Sequence, residues 1–286
     1  MNPEEYAAAQ AAIAASISAY VQRVASLFAA SVLNAAEWLS LLQYLFPEVQ
    51  KKYTESAQLG RAFYDSQRSS HQPALDRNDS LLSDVKFQWF VENTQPARKD
   101  MSKANSSKAD IEKLAMTVVR EVEMAGRRQI IGAVKNDPGP QRVKGWARVA
   151  TGKETCAWCL MLISRGPKYY GPDSAGLHIN SGDAVDIFNE SAGDLAKFRA
   201  ATSEEMEQWH VGCDCLVVPV FDLKDWPGRD AQIAAEKLWI QHSKEATSLI
   251  ESGKARTTNK NKETLNSMRR SLSQGDVLMS NYSLAA

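Results

Sequence analysis

Two short cysteine clusters constrain this chain more than any other feature, because they contain all four of its cysteines. The clusters are Cys156-Ala157-Trp158-Cys159 and His210-Val211-Gly212-Cys213-Asp214-Cys215. Two thiolates separated by two residues can reach one metal ion, and thiolate and imidazole are ligands that zinc prefers. The candidate ligands are Cys156, Cys159, His210, Cys213 and Cys215, one more than a tetrahedral site needs. We expect one structural zinc ion, held by Cys156, Cys159 and Cys213, with His210 and Cys215 competing for the fourth position.

Three other roles for the cysteines stay open at this stage. Disulfides suit a secreted chain, but Met1-Asn2-Pro3-Glu4-Glu5 has neither the basic start nor the unbroken apolar segment of a signal peptide. A redox Cys-x-x-Cys pair would leave the second cluster and its histidine without a role. Buried thiols without a metal are the third alternative. We therefore expect a reducing compartment and a metal site.

Length and charge exclude several classes of protein. The 286 residues are enough for two domains, and 44% of them are hydrophobic, which supports a real core. Lys plus Arg and Asp plus Glu both number 34, so the chain as a whole does not attract nucleic acid or an anionic membrane. No apolar run approaches the roughly 20 residues that span a bilayer. We expect no membrane-spanning segment.

The first part of the chain shows helical periodicity. Asn2 is a good N-cap and Pro3 suits the first helical position, so a helix is predicted to begin there. Apolar residues then recur at three- and four-residue steps from Ile13 to Leu45, and a second helix is predicted to start near Pro47. Such stripes are typical of packing within the molecule, although a surface that docks a partner is the alternative.

A polar connection and one more helix complete the predicted N-terminal domain. Residues 93–109 contain Pro96 and lack periodicity, which predicts an exposed connection. Asp110 is predicted to cap a helix that runs to about Lys135, where a Pro- and Gly-rich segment ends it.

Two predicted strands carry the cysteine clusters. Val143–Ala150 alternates bulky and polar residues, and Cys215–Phe221 is rich in β-branched residues. With Cys156 and Cys159 on a turn after the first strand, and Cys213 and Cys215 at the start of the second, both clusters would reach one end of a small sheet.

The remaining chain is predicted to be mainly helical. Helices are expected at Ala231–Ile250 and Leu265–Leu272, joined by a basic link from Gly253 to Lys262. Nucleic acid contact is one interpretation of the link, but it lacks interleaved aromatic residues, so we expect a solvated surface segment. The fold class is therefore α+β: a mostly helical N-terminal half (1–137), a small zinc-stapled α/β module (138–226) and a helical C-terminal tail (227–286).

A longer pattern surrounds the cysteine clusters. Glu154-Thr155 precedes the Cys-x-x-Cys pair, Ser164-Arg165-Gly166-Pro167 follows it, and the second cluster leads into Leu216-Val217-Val218-Pro219-Val220. This arrangement resembles the C-terminal module of phage Mu F-like minor head proteins and covers approximately residues 142–222. About 50 residues separate the two clusters, a longer insertion than in compact members.

The resemblance implies a minor capsid protein that acts in head morphogenesis. Such a protein would be made in the host cytoplasm and would lie in the virion, inside the capsid near the portal. Its partners would be the phage portal and capsid or scaffold proteins. Related genes of actinobacterial phages are often labelled capsid maturation proteases, so processing of scaffold or capsid protein is the alternative function.

The sequence supports catalysis weakly. Of the four histidines, His178 is the best candidate base for a protease, with Ser181 or Ser164 as nucleophile and Asp183 as orienting group. No Gly-x-Ser-x-Gly, His-Glu-x-x-His or paired-carboxylate motif supports this arrangement. We expect a structural protein and assign no catalytic residue.

A catalytic zinc ion is a further enzyme hypothesis. If only three donors bound the metal, a water could occupy the fourth position and Glu154 or Asp214 could act as its base. A thiolate-rich set of four is typically closed, and the balanced charge argues against a zinc nuclease. Structural zinc is the preferred interpretation.

Overall fold

The computed structural model of this protein describes residues 1–29, 32–74, 76, 84–137, 143–150, 155–167, 190 and 215–282. This part of the chain is mainly helical and contains a single two-stranded sheet. The helices are α1 (Pro3–Ser26), α2 (Ala35–His71), α3 (Phe87–Met101), α4 (Lys108–Lys135), α5 (Ala157–Ser164), α6 (Arg229–Glu251) and α7 (Lys260–Gln274). The strands are β1 (Gly145–Ala150) and β2 (Cys215–Val220), and a 3₁₀ helix covers Met279–Tyr282. No helix in these ranges is both long and apolar enough to cross a membrane.

The chain forms two compact units: the described residues up to 137, together with residue 190, belong to the first, and those in 143–167 and 215–282 belong to the second. Among the described residues, the first unit contains α1 to α4, and the second contains β1, α5, β2, α6, α7 and the 3₁₀ helix. Helix α5 packs on β1, α6 and α7. The C-terminal helices therefore share a compact unit with the cysteine-bearing elements.

Capping boxes set the starts of three helices in the first unit. Asn2 caps α1 as predicted: its side chain accepts a hydrogen bond from the Glu5 backbone at 2.7 Å, and the Glu5 carboxylate accepts from the Asn2 backbone at 2.9 Å. Asn34 and Glu37 repeat this arrangement at α2. At α4 the cap is Ser107, and Asp110, which was predicted to be the cap, is its reciprocal partner in the third helical position.

The predicted helix boundary at Pro47 is wrong, because α2 passes through this residue. The apolar stripe from Ile13 to Leu45 is instead divided between α1 and α2. A proline inside a helix costs about 3 kcal/mol through its missing N–H and a steric clash. Burial of Leu45 before it and Val49 after it opposes this cost, at about 1.5–3 kcal/mol for each side chain.

The predicted connection over 93–109 is also largely helical. Helix α3 continues through Pro96 to Met101, and Phe90, Thr94, Ala97 and Met101 form its buried face. The Thr94 hydroxyl donates to the Phe90 carbonyl at 2.8 Å, so this polar residue is buried with its hydrogen bond satisfied. Polar residues on the other face hide the helical period in the sequence.

The core of the first unit lies between α1, α2, α3 and α4. One cluster of this core contains Ile17 and Val21 of α1, Leu41 and Leu42 of α2, and Val118 of α4, all fully buried. A second contact joins the N-terminal half of α1 to α2, where the rings of Tyr6 and Phe63 stack with centroids 4.5 Å apart. Four amphipathic helices thus share one apolar interior.

Candidate metal centre

The two strands predicted to carry the cysteine clusters pair with each other in antiparallel orientation. Gly145 lies opposite Val220 and Ala150 lies opposite Cys215. All residues of both strands are buried. The chain leaves β1 at Ala150 and continues towards Cys156. Cys215, the first residue of β2, therefore lies at this same end of the sheet.

Cys156 and Cys159 lie at the start of a helix rather than on a turn. Cys156 is the N-cap of α5, and its sulfur accepts a hydrogen bond from the Cys159 backbone N–H at 3.4 Å. The thiol takes the place that a serine or aspartate usually holds at a cap. The partial positive charge of a helix N-terminus stabilises a nearby thiolate, the form of cysteine that binds metals.

The sulfurs of Cys156 and Cys159 are in contact but are not bonded to each other. Cys156 Sγ lies 3.5 Å from Cys159 Sγ, well beyond the roughly 2.05 Å of a disulfide bond. Two sulfurs that bind one tetrahedral zinc ion at about 2.3 Å each lie approximately 3.8 Å apart. The observed separation is shorter than this value, and it is also that of a hydrogen bond between two thiols.

Burial distinguishes the cysteines. Cys159 and Cys215 are fully buried, whereas Cys156 is partly exposed. Within the described ranges, no group of three or more His, Cys, Asp or Glu side chains is placed to hold a metal ion. His210, Cys213 and Asp214 lie outside those ranges, as does Glu154. The complete ligand set therefore stays a prediction.

The predicted protease residues are described only in part. His178, Ser181 and Asp183 lie outside the described residues. Ser164, the alternative nucleophile, ends α5 and donates its hydroxyl proton to the Met161 carbonyl at 2.7 Å. This local bond is typical of a serine in the last turn of a helix.

A cluster of serine, histidine and carboxylate that the sequence did not indicate joins α6 to α7. His242 Nδ1 lies 2.7 Å from Ser267 Oγ and 3.2 Å from Glu245 Oε2, and Ser267 donates to Glu245 at 2.6 Å. Hydrogen bonds from Ser267 and then His242 lower the pKa of Glu245.

The geometry of this cluster differs from that of a catalytic triad. In a triad the two ring nitrogens of histidine serve different partners, whereas here one nitrogen faces both the serine and the carboxylate. His242 and Ser267 are also almost fully buried. The cluster is therefore a polar contact that holds two helices together. Residues 25 positions apart meet in it, and no local motif marks such a pairing.

Comparison with known proteins gives two relatives of nearly full length. The chain is 59% identical over 294 aligned residues to the gene 15 protein of Mycobacterium phage L5, with all of both chains covered. It is 61% identical over 274 residues to the gene 15 protein of Mycobacterium phage D29, with 96% of this chain and all of the relative covered. No solved structure matches. The family model of the VG15 protein matches residues 2–241, and the chain therefore belongs to this phage protein family.

Proposed function

We propose that this protein is a phage minor capsid protein that acts in head morphogenesis, inside the capsid near the portal. The observation that carries the proposal is the pairing of Ala150 with Cys215. This register puts Cys215, the last residue of the second cysteine cluster, at the sheet end from which the chain continues towards Cys156 and Cys159. The mycobacteriophage origin of both relatives supports a role in a phage particle.

The cysteine module would bind one structural zinc ion. An isolated two-stranded sheet is marginally stable in water, so β1 and β2 gain from an additional link. Cys156, Cys159 and Cys213, with His210 or Cys215, would connect the start of α5 to the start of β2. Because Cys159 and Cys215 are fully buried, the donor set suits a closed site better than one that admits a reacting water.

Metal analysis of the purified chain tests the zinc site. We expect about one zinc ion per chain, and loss of that zinc in a Cys156→Ser/Cys159→Ser double variant. Ser164→Ala is the matched control, because it removes a nearby hydroxyl that is not a proposed ligand. Zinc-free wild-type protein with the same thermal stability as a zinc-loaded sample would overturn the site.

Particle analysis tests the head role. We expect the chain in purified virions of its phage, in contact with portal and with capsid or scaffold proteins after cross-linking. Loss of the chain should reduce the yield of infectious, DNA-filled heads. Its absence from both immature and finished heads would refute the proposal.

An assay of scaffold or capsid protein processing distinguishes the structural role in the head from that of a capsid maturation protease. Under the structural proposal, His178→Ala and Ser181→Ala variants should leave processing intact. Loss of processing in a variant that still folds and still enters heads would instead establish the protease, with the affected residue in its active site.

A further inference from the structure

An exposed basic cluster occupies the connection between α6 and α7 and the first part of α7. Residues 252–270 contain six cationic side chains and only one acidic side chain, although the whole chain has no net charge. We call this segment the basic turn. Its cations are Lys254, Arg256, Lys260, Lys262, Arg269 and Arg270, and all except the partly buried Arg270 are exposed.

The backbone of the basic turn is held in place by hydrogen bonds. Gly253 adopts a φ of +69° after α6, and the N–H groups of Lys254 and Ala255 both donate to the Leu249 carbonyl. The Arg256 N–H donates to the Glu263 carboxylate at 3.2 Å. Asn259 caps α7 by accepting from the Lys262 N–H at 3.0 Å. Because the loop is already ordered, less conformational entropy is lost when its charged side chains bind a ligand.

Ion pairs within the described residues involve only one cation of the basic turn, Arg270, which lies near Glu245 and Glu263. Glu263, its one acid, is almost fully buried and forms an ion pair with Arg270 at 3.3 Å. Lys254, Arg256, Lys260 and Lys262 form no ion pair with any described carboxylate. Lys260 and Lys262 also lie in the first turn of α7, where the helix dipole disfavours cations. These charges therefore do not serve the stability of the fold.

The composition of the basic turn identifies the kind of anion that fits it. Residues 252–262 contain no apolar side chain larger than alanine, so the segment lacks the anchors of a protein interface or of a membrane-inserting surface. It also lacks the aromatic side chains on which single-stranded bases stack. Lys, Arg, Ser, Thr and Asn, which fill it, are the residues that contact the phosphates of duplex nucleic acid.

We infer that the basic turn binds the phosphate backbone of double-stranded DNA without sequence preference. The zinc ion and the head role proposed above are not required for this contact. The whole segment that carries it lies beyond residue 241, outside the part of the chain that the family model matches. The family match therefore does not account for it.

Titration of a fluorescent duplex of about 30 base pairs with the full-length protein, followed by anisotropy, tests the inference. Four to five phosphate contacts predict a slope of about −4 for log affinity against log salt concentration. The variant K254Q/R256Q/K260Q/K262Q should bind at least about 100-fold more weakly at low salt, with a slope about three to four units shallower. Duplexes of unrelated sequence should bind equally well.

Two matched variants separate charge at this site from charge in general. K51Q/K108Q/K224Q/K237Q removes the same number of cations elsewhere and should bind the duplex as the wild type does. K254R/R256K/K260R/K262R keeps the charges and should also retain binding. Unchanged affinity of the glutamine variant of the basic turn, or tighter binding to single-stranded DNA, polyglutamate or anionic vesicles than to the duplex, would overturn the inference.

Discussion

Gly60 and Gly126 lie where α2 packs on α4, and a Cβ atom on Gly60 would sit 2.5 Å from the Gly126 carbonyl oxygen and 2.9 Å from its Cα. Two backbones approach this closely only where side chains are absent. Ser56, one turn earlier on α2, adds a hydrogen bond to the contact, because the Gly126 N–H donates to its hydroxyl at 3.2 Å. The packing of the two longest helices in the described first unit therefore depends on two glycines and one hydroxyl.

Gly60→Ala should destabilise the protein by about 2 kcal/mol. Overpacking against a rigid backbone destabilises the folded state by about 1–3 kcal/mol, and we expect a value near the upper end. The better helix propensity of alanine offsets at most about 1 kcal/mol of this loss. Gly132→Ala on α4 is the control: nothing lies within 4 Å of the added Cβ, so we expect stabilisation of about 0.5–1 kcal/mol. Denaturant unfolding followed by circular dichroism measures both values. Equal stability of the two variants would show that the helices do not meet at Gly60.

Ser56→Ala should cost about 1–3 kcal/mol, because a fully buried hydroxyl with two partners is lost. Besides accepting from Gly126, this hydroxyl donates to Gln10 Oε1 at 3.0 Å. A double-mutant cycle with Gln10→Ala should therefore give a coupling energy above about 0.5 kcal/mol. The exposed Ser40→Ala should change stability by less than about 0.5 kcal/mol. Strict additivity of the two buried substitutions would contradict the network.

Local signals in the sequence predicted the elements that depend on local interactions. Asn2 and Pro3 marked the start of α1, and the β-branched run after Cys215 marked β2. The predicted helix start at Pro47 and the predicted connection around Pro96 were wrong. The cost of a proline in a helix is local, whereas the packing that outweighs it joins residues far apart in the sequence. Single-sequence periodicity does not contain that information.

The same distinction holds for the candidate site. Spacing alone identified Cys156, Cys159 and Cys215 as possible ligands of one ion. The position of Cys215 at the sheet end that leads to Cys156 depends on a strand pairing between Ala150 and Cys215 that spans 65 residues. The role of Cys156 as a helix cap follows from where α5 begins, and the sequence around it had suggested a turn. The contact between His242 and Ser267 depends on how α6 packs on α7, so no motif predicted it.

Asp137→Asn should destabilise the protein by about 3–5 kcal/mol, because it removes the carboxylate that neutralises a buried arginine. Arg68 Nη2 donates to Asp137 Oδ1 at 2.9 Å, and both its Nε and the Tyr64 hydroxyl donate to Oδ2. Both members of the ion pair are at most 5% exposed. Glu112→Gln breaks a weak surface pair with Lys108 and should cost less than about 1 kcal/mol. Thermal unfolding of both variants checks the difference, and similar losses would argue against a buried pair.

Asp100 should make the stability of the protein depend on pH in the acidic range. Hydrogen bonds from Lys103 and then Lys113 lower the pKa of Asp100 from 3.8 to about 2. Because the pKa is lower in the folded state, the stabilisation is present above about pH 4 and is lost as pH falls towards 2. Urea unfolding should therefore show wild type more stable than Asp100→Asn near pH 5, with the difference fading towards pH 2. Lys113→Gln removes one of the two donors and should shift this loss to higher pH. Both lysines are more than half exposed, so about 1 M salt should reduce the difference. A gap between wild type and Asp100→Asn that stays constant from pH 5 to about pH 2 would contradict the ionic role of Asp100.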